Sequence, residues 1–424
     1  TVSVDNERVF YMPPFSGNRA VLLELALKQT RKMFNSPCGG LKRPYLDPGA
    51  QYARNLWDWD SYWASVALLG IAAEVKDDAF SAEVLKHAKG SLLTFFDYQA
   101  PDGSMPILLD GEGVDVFETR NPGQNIGKPI HAQFALLLEE RGAFDDAEKA
   151  MLLRGLRRLA ECRINRSRSC PTGLFVWNTD AAIGVDDDPT AWGRPPKSSA
   201  HIYLNCLVYA DFRAAETLAG RIGDTESVRF FRQEADALGE AVRRCCYDRR
   251  DGLYYTVDVQ CVTTHPKFSM FTLNASLDAF WQVLPLKIGA WSSFLPLWCG
   301  IARQEEAGRM VREHLMNPAR FWTPWGIRSL AADEVMYRPD DSRGNPSNWL
   351  GPVWIISCYM VWLGLKRYGF EAEASQLAEN VVGNLAEDCR RNNVLHEYYS
   401  GETGEGISGP GFLNWNLLAL LMHP

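Results

Sequence analysis

The chain is missing most of the signatures that would place it directly in a functional class. Its seven histidines form no metal-spaced pair and its ten cysteines include no Cys-x-x-Cys, so neither a zinc site nor a disulfide framework is indicated. The cysteines are scattered, mostly through apolar helical stretches, as at Cys206, Cys299 and Cys358, the usage expected of a reducing compartment. Positive charge is not in excess: the net charge is −8, which argues against nucleic acid as a partner and offers no polybasic patch to a membrane. No apolar run reaches membrane-spanning length and no secretory leader is readable from Thr1, so a cytoplasmic location is expected. No Pro- or Ser-rich linker interrupts the chain, and residues 1–424 are read as one domain.

What is present is apolar and aromatic. Of the 424 residues, 46% are hydrophobic and 12% aromatic, with 14 Trp, enough for a large core and a side chain well suited to sugars. Hydrophobic periodicity predicts about twelve helices, near 18–34, 58–75, 80–99, 128–142, 144–162, 199–219, 226–246, 290–302, 304–316, 349–369, 371–390 and 411–422. Strand signals are few, the best being Gly252–Val257. The helices alternate in character. The segments 144–162, 226–246, 304–316 and 371–390 are amphipathic, whereas Val353–Leu365 is apolar all round and 201–212 nearly so. A helix apolar on every side is buried on every side. Six wet–dry pairs with no repeat of fixed period predict an all-α fold, an (α/α)6 barrel of six inner and six outer helices, and not a solenoid.

The inner helices open on unusual residues. Arg54–Trp63 (RNLWDWDSYW) precedes or begins the second, Gly127–Gln133 (GKPIHAQ) the fourth, Asn348–Trp354 (NWLGPVW) the tenth, and Leu395–Glu405 (LHEYYSGETGE) lies before the twelfth. The sixth follows Gly184–Pro196 (GVDDDPTAWGRPP), where Asp186, Asp187 and Asp188 stand in a row. Alone, that run reads first as a solvated acidic turn, since Asp and Pro are ordinary turn residues. Inner helices of such a barrel run parallel, however, so these ends and the long loops 100–127, 163–198, 317–348 and 391–410 converge on one mouth. Trp57, Asp58 and Trp59 could be a helix entry, but Asp60 between Trp59 and Trp63 is how a protein grips a sugar: ring faces stack on C–H and the acid takes hydroxyls. Lys128 and His131 could be plain helix-start residues, and Trp349 and Trp354, five apart, are expected to point in different directions. Two acids on separate loops at one mouth, Asp186 and Glu397, form the pair that glycosidic hydrolysis requires.

These stretches carry a family resemblance. Trp59–Trp63 (WDSYW) resembles a trehalase motif, and Gly184-Val-Asp186 resembles the segment bearing the general acid in trehalases (family 37) and in glucosidase I relatives (family 63). Asn348–Trp354 is similar to the YWRGPVW segment of family 63, with Leu350 in place of its Arg. His396-Glu-Tyr-Tyr399 followed by Thr403-Gly-Glu-Gly406 resembles the segment with the general base. The likeness runs from about residue 50 to the end, and is greatest to the single-domain mannosylglycerate and glucosylglycerate hydrolases. Lys128 departs from it, standing where a Gln-Pro-Pro run is often found. The resemblance implies an inverting, exo-acting α-glycosidase for a small carbohydrate such as an α-glucoside or α-mannoside, with Asp186 as acid and Glu397 as base. Substrate contacts are expected from Trp57, Trp59, Asp60, Lys128, Trp192, Arg194, Trp349, Trp354 and Tyr398, with no metal or cofactor. Rival readings are a carbohydrate-binding barrel without catalysis, or a metal-dependent helical cyclase. For the cyclase, the Asp run lacks the spacing that aligns carboxylates on one helix face.

Overall fold

A computed structural model of the chain describes residues 15–260, 282–340 and 347–424; residues 341–346 of the expected 317–348 loop lie outside these. Eleven α-helices occur among them: α1 (Phe15–Gln29), α2 (Asp58–Val75), α3 (Asp78–Asp97), α4 (His131–Glu139), α5 (Asp146–Ser167), α6 (Ile202–Ile222), α7 (Thr225–Cys246), α8 (Leu295–Cys299), α9 (Gln304–Arg309), α10 (Ile355–Arg367) and α11 (Glu371–Asn392). A tight 3-10 helix, Asn414–Leu421, takes the twelfth place. The even-numbered helices and this last one form a closed inner ring: α2 packs on α4, α4 on α6, α6 on α8, α8 on α10, and α10 on the 3-10 helix, which returns to α2. Around them, α3 lies against α2, α7 against α6, and α11 against α10 and α1.

Inner and outer helices begin differently. Outer helices α3, α5 and α7 carry side-chain caps, Asp77 accepting from Phe80 N–H, Asp145 in a capping box with Glu148, and Asp224 accepting from Ser227 N–H. No N-cap side chain serves α2, α4, α6 or α10. Some of their first amides are instead claimed by carboxylates from elsewhere: Asp211 of α6 accepts from Ala132 and Gln133 at the start of α4. Asp58 accepts from Trp59 N–H at the start of α2, and Thr256 Oγ1 accepts from Ile202 N–H at the start of α6.

Several expected helix starts are too early, for one physical reason. The stretch 349–354 is not helical: the chain bends at Leu350–Gly351, with Gly351 at φ +141°, Pro352 disfavours helix at the residue before it, and Val353 bridges to Arg328 and Tyr399. Ser199–Ala200 pairs antiparallel with Val257–Asp258, delaying α6 to Ile202. The expected helix 290–302 breaks into a 3-10 turn (Trp291–Phe294) and the short α8 that Pro296 and the left-handed Gly300 bound. Gly252–Val257 contributes to three strand pairs, Leu253–Tyr254 with Tyr247–Asp248, and Val257 with both the Ser199–Ala200 strand and Leu284–Pro285. All the strands are two or three residues long and serve to pin loops at the mouth.

Candidate active site

The Asp186–Asp188 run divides its labour. Asp188 is buried, accepting from Thr190 N–H at 2.8 Å and facing His201 Nε2 at 3.1 Å. His201 Nδ1 receives Trp177 Nε1–H at 3.0 Å, so the ring's other nitrogen is assigned the proton and donates to Asp188. Burial alone would raise the Asp188 carboxyl, but His201 and Thr190 hold it below the ordinary range. Asp187 accepts Trp349 N–H at 2.6 Å and clamps the 348–354 segment; burial chiefly, with the neighbouring acids, lifts it to about 6. Only Asp186 leaves its carboxyl accessible to solvent, though protein surrounds it closely. Burial raises its pKa, against a hydrogen bond with Ser347 and the charge of Lys128.

Glu397 comes from the far end of the chain and is 2% exposed. It immediately precedes the strand Tyr398–Tyr399, paired with Gly406–Ser408. Gln51 Nε2 and Tyr52 Oη donate to its two carboxylate oxygens, each at 3.0 Å. The loop bearing them is knotted around buried Asp47, which accepts from Gly49, Arg54 and Asn35. Burial pushes Glu397 to about 7; Tyr52 and Gln51 pull the other way, and the charge of Asp186 adds to the rise. The two acids therefore sense one another, although 211 positions separate 186 from 397 in sequence.

Asp60 joins them. It is 7% exposed, accepts Asn414 Nδ2–H at 2.6 Å, and is pushed up to about 8 by burial, with Lys128 opposing and Asp58 and Glu397 adding to the shift. Beneath it lies a buried ion pair: Asp58 takes the Lys128 ammonium at 3.0 Å on one oxygen and the Lys128 N–H at 2.6 Å on the other. Lys128 is 1% exposed and passes under Gly184, where a Cβ would lie 2.8 Å from its Cε. Only glycine, here at φ +88°, lets the loop cross that stem and deliver Asp186.

The expected contact residues separate into two groups. Trp57 is half-buried against Tyr52 and Phe117, and so stands beside Glu397's support. Trp59 lies under the site between Tyr203 and Trp415. Trp349 and Trp354 do not diverge; the backbone there is not helical but bends at Leu350–Gly351, and their indoles stack at 4.1 Å and 6°. Trp291 covers the other face of Trp349 and Tyr398 packs on Trp354, so this column is buried and supplies no open stacking face. Trp192 is 54% exposed on the loop surface. Arg194 is committed to Asp258. Lys128 is an internal counter-charge with its ammonium on Asp58, and His131 is neutral, packed edge-on to Phe95 with its pKa pressed down to about 4 by burial. Glu402 pairs with Arg328, and Glu405 is exposed.

Gln51, Tyr52, Ser347, Tyr203 and Asn414 escape sequence reasoning. Tyr203 is fully buried, its hydroxyl lacks a partner among the described residues, and it lies 3.4 Å from where a Gly184 Cβ would be. Its only sequence signal is position, at the start of an inner helix just after the Asp loop.

A closed double ring of helices, with two acids brought to one mouth from opposite halves of the chain, defines the class: an (α/α)6-barrel glycoside hydrolase domain. The chain belongs to the mannosylglycerate hydrolase MGH1-like glycoside hydrolase domain family, whose model matches residues 53–415. It is similar to a mannosylglycerate hydrolase of Thermus thermophilus, 30% identical over 134 residues, which are 31% of this chain and 28% of that protein. A probable mannosyl-oligosaccharide glucosidase of Schizosaccharomyces pombe is 23% identical over 252 residues, 56% of this chain and 28% of that one. Both matches thus span well under half of those relatives' length. The crystal structure of a family 63 mannosylglycerate hydrolase from Thermus thermophilus, in complex with glucose, superposes at a TM-score of 0.66 and 20% identity, over 95% of this chain and 98% of that one. Among the described residues no helix is long and apolar enough to cross a membrane, and no group of three or more His, Cys, Asp or Glu is placed to hold a metal ion.

Proposed function

We propose that the chain is an inverting, exo-acting hydrolase of a small α-linked glycoside, a glucoside or mannoside of the glycosylglycerate kind. Asp186 protonates the departing glycosidic oxygen while Glu397 takes a proton from the water that attacks the anomeric carbon from the opposite face. The observation that carries the reading is the unequal support of the two acids. Burial raises both carboxyls, but Glu397 is itself buried and fixed by two donors, one on each oxygen, as a base that must aim at a water needs, whereas Asp186 is the exposed one of the pair, as an acid that must reach a leaving oxygen needs. Asp60, protonated up to about 8, presents both a donor and an acceptor to sugar hydroxyls. Trp57, half-buried, walls the cleft. The described cysteines are all free, which supports action in the cytoplasm, and residues 1–424 are taken as one catalytic domain.

Proton NMR in the first minutes of turnover tests the mechanism, using α-glucosyl and α-mannosyl glycerate with simple α-glucosides as alternatives. The β-anomer is expected as first product. An initial α-anomer, or a covalent sugar on Glu397, would overturn inversion; no release from any α-glycoside would favour a binding barrel.

A further inference from the structure

Glu397 has a cleft behind it as well as in front. Successive residues of an extended segment point to opposite sides, and His396 turns away from the acids into a cavity of about 790 Å3 between α11 and the turn 400–406. Trp325, half-buried, forms one wall, and Asn384 of α11 another. Asn384 is 8% exposed, and its Nδ2 has no partner among the described residues. A buried amide with unused donors costs roughly 1–3 kcal/mol unless something accepts them. Gly404, at φ +75°, fits so tightly that a Cβ would stand 2.4 Å from the Trp325 ring and 2.7 Å from Asn384 Oδ1. Turn, indole and amide are thus locked together as a preformed wall.

The charges lining the cleft are already spent on one another. Glu387 takes Arg391 Nε at 2.6 Å and Arg390 Nη1 at 3.7 Å, and Arg390 Nη2 donates to Asn18 at 2.7 Å. Asp388 accepts from Asn392 at 2.7 Å and from Tyr399 at 2.9 Å, and meets His396 Nδ1 at 2.8 Å. Burial would raise Asp388, but these bonds, led by His396, hold it below the ordinary range. An anion would find both guanidiniums already partnered by Glu387, and the Asp388 and Glu405 carboxylates beside them. A neutral, hydroxyl-rich molecule with an apolar face finds an indole, the Asn384 amide, whose unpaired Nδ2 lies just beneath the cavity surface, and a carboxylate acceptor, in a volume that suits a mono- or disaccharide.

We propose that this cleft is a second carbohydrate-binding site, back to back with the catalytic mouth and sharing its 396–397 backbone. The proposal concerns binding and does not rest on the hydrolytic reading. It is tested on the full chain labelled with fluorotryptophan, the Trp325 resonance being assigned by Trp325→Phe. D-Glucose, D-mannose and trehalose are titrated to tenth-molar concentration, with acetate and D-glycerate as anionic controls. Expected is a saturable shift of the Trp325 resonance with at least one neutral sugar, and an affinity weakened about fivefold or more by Asn384→Leu, the worth of one hydrogen bond. If that variant does not melt cooperatively, Asn384→Asp, which keeps the shape and loses the amide donors, replaces it. A Trp325 resonance unmoved by all three sugars, one moved only by the anions, or an affinity indifferent to loss of the amide would each overturn the proposal.

Discussion

Three adjacent aspartates with three different partner sets give sharp expectations at the scale of single residues. Asp186→Asn should lower turnover by several orders of magnitude for substrates with poor leaving groups, measured as initial rates. Asp187→Asn should instead loosen the Trp349 N–H clamp, with a milder loss of rate. If Asp187→Asn is the dead variant and Asp186→Asn is active, the assignment of the acid is wrong. The base sets the acidic limb of the pH profile. In the proposed mechanism Glu397 works ionised, and burial pushes its pKa to about 7, so kcat/KM is expected to fall as pH drops through that value. Tyr52→Phe removes a donor that favours the carboxylate and should move this limb to higher pH. Asp60 gives a stability test. Its pKa rises from an ordinary 3.8 to about 8 on folding, so the folded protein binds that proton more tightly than the unfolded chain. The resulting stabilisation is complete below about pH 4 and is lost as pH climbs to about 8. Asp60→Asn, which still accepts from Asn414, should therefore melt higher than wild type at pH 9 while losing activity; a lower melting temperature there would refute the buried-acid account. The acids were legible in sequence because Gly-x-Asp and His-Glu-Tyr-Tyr are local patterns. Their partners were not, since Gln51, Tyr52 and Asn414 lie about 350 positions from what they hold.

At the scale of elements, the alternation of wet and dry helices placed all twelve, because periodicity reports burial directly. It placed the start of α2 at residue 58, as observed, but put the starts of the other inner helices too early. Pairing across loops and Gly–Pro geometry, which a one-dimensional pattern does not carry, move those starts by several residues. The same error separated Trp349 from Trp354: five residues of helix would splay them, whereas the bend at Leu350–Gly351 folds the chain back and stacks them. The join between the first turn of α2 and the loop before α4 can be tested directly. Asp58→Asn leaves the Lys128 ammonium buried without its counter-charge, and such breaks cost roughly 3–5 kcal/mol. Denaturant melts should show that loss, and Asp58→Asn with Lys128→Met should recover part of it. A single substitution without effect would mean that Lys128 has another counter-charge within reach.

At the scale of the whole molecule, the ring closes only when the 3-10 helix Asn414–Leu421 slots between α2 and α10. Gly70 marks the seam: a Cβ there would lie 2.4 Å from Leu421 Cδ2. Gly70→Leu should overpack it and destabilise by about 1–3 kcal/mol, read as an earlier unfolding midpoint. The closure also bears on how the protein is made. Gln51 and Tyr52 leave the ribosome some 345 residues ahead of the glutamate they hold. At about 5–20 residues per second, the early half of the mouth waits on the order of tens of seconds for its last wall. During that interval the apolar flanks of α2 that later meet the 3-10 helix have no neighbour, and a nascent chain stalled before residue 397 is both sticky and inert. The enzyme's birth thus has a vulnerable stretch that its finished barrel conceals, one in which chaperone capture of the growing chain would be most useful.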